Sequence, residues 1–199
     1  MKKLLVISCC LLLIACSEQK SRWKIIEEKE KQELNSGIKN DTIFLDFAFG
    51  MTEDQVNKKL SQLLESGKIS APNKSYEYKF TFDYPKEAIA TFRTEYFNGK
   101  LYEFTLKIDA DDQTEAEIIQ LKLVSLYMQK YGSPIKVPSV LNETESDYLF
   151  INGNRQIEIC YPLYGTVFID YTDLTIKNEK QFQDEKQNLQ KQDSVKRDI

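Results

Sequence analysis

Cysteines and carboxylates are the side chains through which this 199-residue chain could do covalent or acid–base chemistry. Histidine is absent, which removes Ser-His-Asp and Cys-His nucleophile systems and the zinc sites that use histidine. Cys160 stands beside Ile159 and Tyr161 on a predicted strand. Because a nucleophilic thiolate needs a nearby base, we expect Cys160 to be a small, partly buried thiol.

Clusters of acidic residues are the second candidates for chemistry. Residues 109–112 read Asp-Ala-Asp-Asp, but they lack the glycine and the terminal glutamate of an EF-hand calcium loop. We therefore expect a solvated turn whose acids lie favourably near the start of a helix. A hydrolase that works with carboxylates alone needs two of them at a defined separation across a cleft. The candidates for such a pair are Asp170 with Asp173, and Glu143 with Glu145 and Asp147.

The first sixteen residues form a distinct segment. Two lysines precede an almost wholly apolar run over residues 4–14, which is the pattern of a secretory signal and is far shorter than the ~20 residues of a membrane-spanning helix. The sequence Leu-Ile-Ala-Cys at residues 13–16 resembles the bacterial lipobox, which implies cleavage before the cysteine and diacylglycerol on its thiol. We predict that residues 1–15 are a lipoprotein signal peptide and that Cys16, carrying palmitate-like chains, anchors the protein to a membrane.

Net charge and cysteine count exclude further classes. The chain has 27 basic and 31 acidic side chains and a net charge of −4 at pH 7, and it lacks the basic block that nucleic-acid binding requires. We therefore expect no nucleic-acid partner. After cleavage and lipidation Cys160 is the remaining thiol, so we expect no intrachain disulfide. Stability must come from a core rich in the eleven Phe and eleven Tyr residues, and we expect no cofactor.

Spacing and capping signals predict two helices and an entering strand. Alternating apolar residues over residues 43–49 predict a strand. Residues 52–55 fit a capping box that starts a helix, and Gly67 is a plausible end. A second box at residues 114–117 predicts a longer helix, which stops at Gly132.

The remaining segments predict strands. Aromatic residues at every second position of residues 76–84 indicate a strand with one aromatic face. Residues 88–97 and 101–108 flank Asn98-Gly99, which is a strong type I′ hairpin signal. Further strands are predicted over residues 148–151, 156–161 and 166–171.

This order, helix and three strands followed by helix and three strands, predicts the α+β class. We expect two layers, with helices packed on an antiparallel sheet, in a tandem helix-plus-three-strand repeat. The predicted boundaries are a lipidated N-terminus with a charged tether over residues 16–40, a first α+β unit over 41–110, a second over 111–174 and a polar tail over 175–199. For the tail, a solvated helix or disorder is expected.

The non-aromatic faces of the predicted strands are the candidate binding surface. In the first unit the candidate partner-binding residues are Lys79, Arg93, Glu95, Glu103 and Lys107. In the second unit the same face would add Gln156, Glu158, Cys160 and Phe168. A mixed-charge sheet face is usually solvated, but it is also the surface that a two-layer protein can offer to a partner.

Two short motifs carry a resemblance to known proteins. Residues 49–52, Phe-Gly-Met-Thr, resemble the helix start of the SmpA/OmlA-like small lipoproteins of bacterial outer-membrane assembly, and residues 126–134 resemble the helix end. The tandem order is similar to that of the beta-lactamase inhibitor protein, and the richness in Tyr, Lys, Asn and Ile resembles Bacteroidetes lipoproteins. Over residues 44–173 the resemblance implies helices layered on an antiparallel sheet and work done by contact with other proteins. It implies no catalytic residue.

These observations favour a lipid-anchored, non-catalytic module that binds or scaffolds another protein of the cell envelope. Ser17 after the lipidated cysteine favours the outer membrane or cell surface over the inner membrane. One alternative is a carrier of a small apolar or glycan ligand, which would have a sizeable cavity between helix and sheet, walled by Tyr76, Tyr78, Phe80 and Phe92. The other is the carboxylate hydrolase, which would have two acids across a cleft.

Overall fold

The computed structural model describes residue 24 and residues 26–85, 87–139 and 144–197. Within these ranges, helices pack against one seven-stranded antiparallel sheet, which confirms the predicted α+β class and its layered architecture. The helices are α1 over residues 26–35, α2 at Glu53–Glu65, α3 at Gln113–Tyr131 and α4 at Leu174–Arg197. The strands are β1 at Glu77–Thr81, β2 at Glu87–Phe97, β3 at Lys100–Asp109, β4 at Ile135–Pro138, β5 at Ser146–Asn152, β6 at Arg155–Ile159 and β7 at Thr166–Asp173.

The strand order is β1-β2-β3-β7-β6-β5-β4. Each predicted unit forms a meander, and the last strands of the two units, β3 and β7, pair with each other. The second unit contains β4, a strand that the sequence analysis missed. It is four residues long and ends in a proline, so it is too short to show an alternating pattern and is compatible only with an edge position.

Two local signals in the sequence are confirmed. The backbone N–H of Thr52 donates to Gln55 Oε1 at 2.8 Å, and the N–H of Gln55 donates to Thr52 Oγ1 at 3.3 Å, which completes the capping box of α2. Asn98 and Gly99 have φ angles of 50° and 73° between β2 and β3, as a type I′ turn requires.

The predicted capping box of α3 at residues 114–117 is wrong. The N-cap is Asp112, whose Oδ1 accepts the N–H of Glu115 at 2.8 Å, while Glu115 Oε2 accepts the N–H of Asp111 at 2.7 Å. Aspartate caps a helix at least as well as threonine, so the acidic turn itself starts α3. Thr114 consequently lies inside its first turn.

The predicted strand over residues 43–49 is also wrong. Phe44–Asp46 form a short 3-10 turn, in which Leu45 and Asp46 have φ angles of 52° and 59°. The chain folds back so that the N–H of Ile43 donates to the carbonyl of Phe47 at 2.7 Å, and both of these side chains are buried. The apolar alternation therefore reflects burial of the two ends of a loop rather than a pleated strand.

The main core lies between the sheet and the layer that contains α2 and α3. One side of the central strands contributes fully buried residues such as Phe104, Leu106 and Ile169. Val56 of α2 and Leu123 of α3 belong to the same cluster and pack on it from the helix layer. This single cluster runs through both predicted units.

The opposite side of the sheet receives the two terminal helices. Ile26 of α1 is buried against Val137 and Leu149, and Glu33 Oε2 accepts the N–H of Gly153 at 2.9 Å. The described part of the predicted tether thus packs on the second unit. After α1 ends at residue 35, a short connection over residues 36–41 leads into the first unit.

The predicted polar tail is helical. Asp173 Oδ1 accepts the N–H of Thr175 at 2.8 Å, and Leu174 is fully buried, so α4 starts against the sheet. Lys180 Nζ lies 5.5 Å from the ring centroid of Tyr102. Over residues 184–190 every side chain is exposed, so the contact with the sheet belongs to the first turns of α4.

Removing the buried side chain of α1 tests the docking of this helix. In Ile26→Ala we expect residues 26–35 to lose protection against amide hydrogen exchange, because a lost buried isoleucine costs about 2 to 4 kcal/mol. The matched control is Ile38→Ala, whose side chain is 52% exposed. Unchanged exchange of α1 in Ile26→Ala would contradict the packing described here.

Candidate functional site

The five candidate partner-binding residues lie on one face of the sheet. Residues directly opposite in an antiparallel pair share a face, and the β2–β3 register places Arg93 opposite Thr105 and Glu95 opposite Glu103. Lys107 follows two positions after Thr105 and therefore has the same orientation. Lys79 of β1 joins this face opposite Ile89. This is the side of the sheet away from α2 and α3.

Three of the five residues form one ion-paired group. Arg93 Nη2 lies 3.4 Å from Glu103 Oε1 and 3.6 Å from Glu95 Oε1. Burial and the carboxylates of Glu95 and Asp170 raise the pKa of Glu103 above its ordinary value, while Arg93 opposes this shift. The arginine therefore holds together two carboxylates that would otherwise repel each other.

The other two lysines pair with acidic residues that the sequence analysis did not place on this face. Lys79 Nζ lies 2.9 Å from Glu87 Oε2, and Lys107 Nζ lies 2.6 Å from Asp109 Oδ2. Both acids fall just outside the predicted strands, where the sequence predicts no alternation of side chains. The signal that would have found them is the same period of two, extended by one residue at a strand end.

Ile89 is the apolar centre of this surface. Its side chain is 46% exposed, it faces Lys79 across the β1–β2 register, and Glu87 precedes it by two positions on the same face. On the neighbouring strand β3, Asp109 comes directly after Ile108, the partner of Ala90, and therefore lies beside Ile89 on the same face. We call this side of β1 and β2, centred on Ile89 and edged by the three ion-paired groups, the bare face; along β3, its inner border, the surface is partly covered, since Thr105 is 3% exposed.

The same side of the second unit is covered rather than open. Gln156 and Thr172, which are opposite each other, are 6% and 8% exposed. Glu158 lies directly opposite Asp170, although like charges in this arrangement repel. Of the residues by which the second unit would extend the binding surface, Gln156 is buried and is not available to a partner, whereas Glu158, Cys160 and Phe168 are half-buried, so the extension to these three stays a prediction.

Burial and neighbouring charges control the groups on the covered side. Burial, reinforced by the carboxylates of Asp147 and Asp170, raises the pKa of Glu158 to about 7, while Lys177 of α4 lowers it and Glu30 of α1 raises it. Burial and the same acids raise the pKa of the Cys160 thiol far above its ordinary value. Cys160 is half-buried and donates to Asp170 Oδ2 at 3.7 Å, so it stays protonated, as expected for a structural thiol.

Three of the carboxylates that the sequence offered as hydrolase pairs, Asp170, Asp173 and Asp147, have structural partners. Asp170 Oδ1 accepts the hydroxyl of Thr105 at 2.5 Å, and Asp173 caps α4 and accepts Asn154 Nδ2 at 3.0 Å. Asp147 Oδ1 accepts the N–H of Tyr161 at 2.7 Å. Glu143 lies outside the described residues.

The predicted aromatic cavity is largely filled. The ring of Phe44 packs on Tyr78, Phe80 and Phe92 with centroid distances of 4.8, 5.6 and 6.4 Å. In the part of the chain that the structure describes, no group of three or more acidic or thiol side chains is arranged to hold a metal ion. None of the helices described there has the apolar length that spanning a bilayer requires.

Comparisons with known proteins leave the family open. No protein-family model, no curated protein and no solved structure matches this chain. The similarity to SmpA/OmlA-like lipoproteins therefore stays a prediction from short motifs.

The raised pKa of Glu158 predicts how stability depends on pH. Because the folded chain binds this proton more tightly than the unfolded chain, whose carboxyl titrates near 4.5, the free energy of unfolding falls as pH rises from 4.5 to about 7. The decrease has an upper limit of about 3 kcal/mol. Glu158→Gln should remove this decrease and exceed the natural chain in stability at about pH 8, as urea unfolding at both pH values would measure.

The matched control is the exposed Glu65 at the end of α2. Glu65→Gln should leave the pH dependence as it is. An unchanged pH profile in Glu158→Gln would show that this carboxyl is solvated in the folded state.

Proposed function

We propose that this chain is a lipid-anchored protein of the cell envelope whose folded domain binds another envelope protein through the bare face and catalyses no reaction. The observation that carries this proposal is an asymmetry of the sheet. The terminal helices cover the polar side over β4–β7, where Gln156 is 6% exposed, whereas Ile89 on the same side of β2 is 46% exposed.

The chemistry of the bare face supports a protein partner. An apolar centre surrounded by polar groups is the arrangement of protein–protein contacts, in which the buried centre supplies most of the affinity and the polar border excludes water. The side chains of Lys79, Glu87 and Lys107 are 56%, 53% and 46% exposed. Exposed ion pairs of this kind contribute about 0 to 1 kcal/mol to folding, so their removal should change binding much more than stability.

The two alternative functions have less support. A carrier would need an enclosed cavity, but Phe44 fills the space between the aromatic residues of β1 and β2. A carboxylate hydrolase would need acids that a substrate can reach. Glu158 and Asp170 oppose each other on the covered side, and Asp173 is used as a helix cap.

Site-specific crosslinking in the native bacterium tests the bare face. With a photoreactive residue at Lys107, we expect one discrete adduct with a second envelope protein. Ile89→Asp should abolish this adduct, because a charge at the apolar centre would have to be desolvated on binding. The adduct is measured by mass spectrometry and immunoblotting.

The matched control uses the solvated side of α3, where Leu121 is 56% exposed. Leu121→Asp should retain the adduct. Circular dichroism of both variants separates loss of binding from loss of folding. An adduct that survives Ile89→Asp, or none at all in folded protein, would refute binding through this face.

The anchor is proposed on Cys16, which lies outside the described residues together with the rest of residues 1–23. We expect the mature protein to lack residues 1–15. We also expect it to partition into the detergent phase, because each methylene of its acyl chains that is buried there contributes about 0.8 kcal/mol of favourable free energy. Cys16→Ser should retain the precursor sequence without lipid. Intact mass and phase partitioning measure both results, with Cys160→Ser as the control. A Cys16→Ser protein that kept the mature lipidated mass would overturn the proposal.

A further inference from the structure

A groove runs along α3 on the helix side of the sheet. Two adjoining hollows of about 360 Å³ and 260 Å³ share Leu126 as a common wall. The first lies between the end of β1, with Phe82, and Lys122 of α3; the second lies between Phe80 and Lys130. We call the surface formed by these five residues the α3 groove.

The middle of the α3 groove is apolar and open to solvent. Leu126 is 48% exposed although its neighbour Tyr127 is buried. The rings of Phe80 and Phe82 stack with a centroid distance of 5.9 Å and an interplanar angle of 4°, and both are half-buried. The groove therefore offers one exposed aliphatic side chain beside two aromatic rings.

At each end of the groove, α3 contributes one lysine. Lys122, Leu126 and Lys130 follow each other at intervals of four residues, so they lie on one side of the helix and the two lysines are about 12 Å apart along its axis. Neither lysine has a carboxylate within ion-pairing distance among the described residues. Asp46 on the opposite wall is paired with Lys59 at 3.8 Å, and Asp83 is the acid that faces the Lys122 end.

We propose that the α3 groove binds an extended peptide segment with an apolar side chain flanked by acidic side chains two residues away on each side. In an extended chain alternate residues share a face, and four residues span about 13 Å. This matches the distance between the lysines, so each acid would reach one lysine while the central side chain lies on Leu126. The groove is on the side opposite to the bare face, so this inference is independent of the proposed function.

Other occupants predict different results. A fatty acid would use one lysine and the apolar floor, with no need for the second lysine. A second copy of the chain would bury the groove in a dimer. The peptide uses both lysines at once, so that either lysine variant weakens its binding, which distinguishes it from the other two.

Fluorescence anisotropy with the purified full chain tests the proposal. The probe is a fluorescein-labelled seven-residue peptide of threonines, with glutamate at its second and sixth positions and phenylalanine at its fourth. We expect saturable binding that weakens about tenfold in Leu126→Ser, about threefold in Lys122→Ala or Lys130→Ala, and further at high salt. Asp83→Asn should tighten binding, because it removes a repulsive carboxylate.

The matched controls are Leu121→Ser on the solvated side of α3 and Lys58→Ala on the exposed side of α2. Both should bind the peptide as the natural chain does. A peptide in which the two glutamates are adjacent can reach only one lysine at a time and should bind about threefold more weakly, as the lysine variants do. Ile89→Asp should also leave peptide binding unchanged, which separates this site from the bare face.

Three results would overturn the proposal. The first is absence of saturable binding up to about 1 mM peptide, or binding that no groove variant changes. The second is dodecanoate binding that depends on Leu126 and a single lysine while the peptide fails to bind. The third is a sedimentation mass of two chains that falls to one in Leu126→Ser while the peptide fails to bind.

Discussion

The pairing of β3 with β7 is the interaction on which the rest of the structure depends. The two predicted units, residues 41–110 and 111–174, have 70 and 64 residues, a size at which one core alone is marginal. The β3–β7 ladder runs from Glu103↔Thr172 to Asp109↔Thr166 and places Phe104 and Tyr171 in ring contact at 6.3 Å. Because these strands stand side by side, two small cores become one continuous cluster. Loss of this ladder would expose apolar edges in both halves.

The chain treats the two polar halves of this sheet differently. Over the second half the terminal helices enclose carboxylates that face one another, Glu158 and Asp170, at an electrostatic cost that Lys177 reduces. Over the first half the opposite charges pair locally, as Arg93 does with Glu95 and Glu103. Arg93 and Glu95 are also exposed to solvent. A surface whose charges are already paired has no strong single-sign field. It therefore favours partners by shape and by its apolar centre more than by long-range attraction.

Local signals in the sequence predicted local structure well. The box at Thr52–Gln55 and the turn at Asn98-Gly99 depend on residues a few positions apart, so their geometry was predictable. The loop at residues 43–49 and the strand β4 were not, because burial by distant residues decides the first and pairing with β5 decides the second. The same limit applies to the site. Alternation placed the five charged residues on one face. That two acids oppose each other on the second half of the sheet follows only from the β6–β7 register, and that this half is covered follows only from the packing of α1 and α4.

The docking of α1 on the sheet also limits how far the domain can lie from the membrane. With lipid on Cys16 as proposed, ten residues connect the bilayer to Ile26, and a fully extended chain of that length covers at most about 35 Å. Ile26 is held beside β4, at the edge of the sheet opposite to β1, and six strand spacings separate these edges by roughly 29 Å. With this anchor the β4 edge would lie within about 35 Å of the headgroups, and Lys79 and Ile89 lie near the opposite edge of the sheet. A protein held in this way is suited to meeting partners that project from the membrane or arrive from the surrounding compartment.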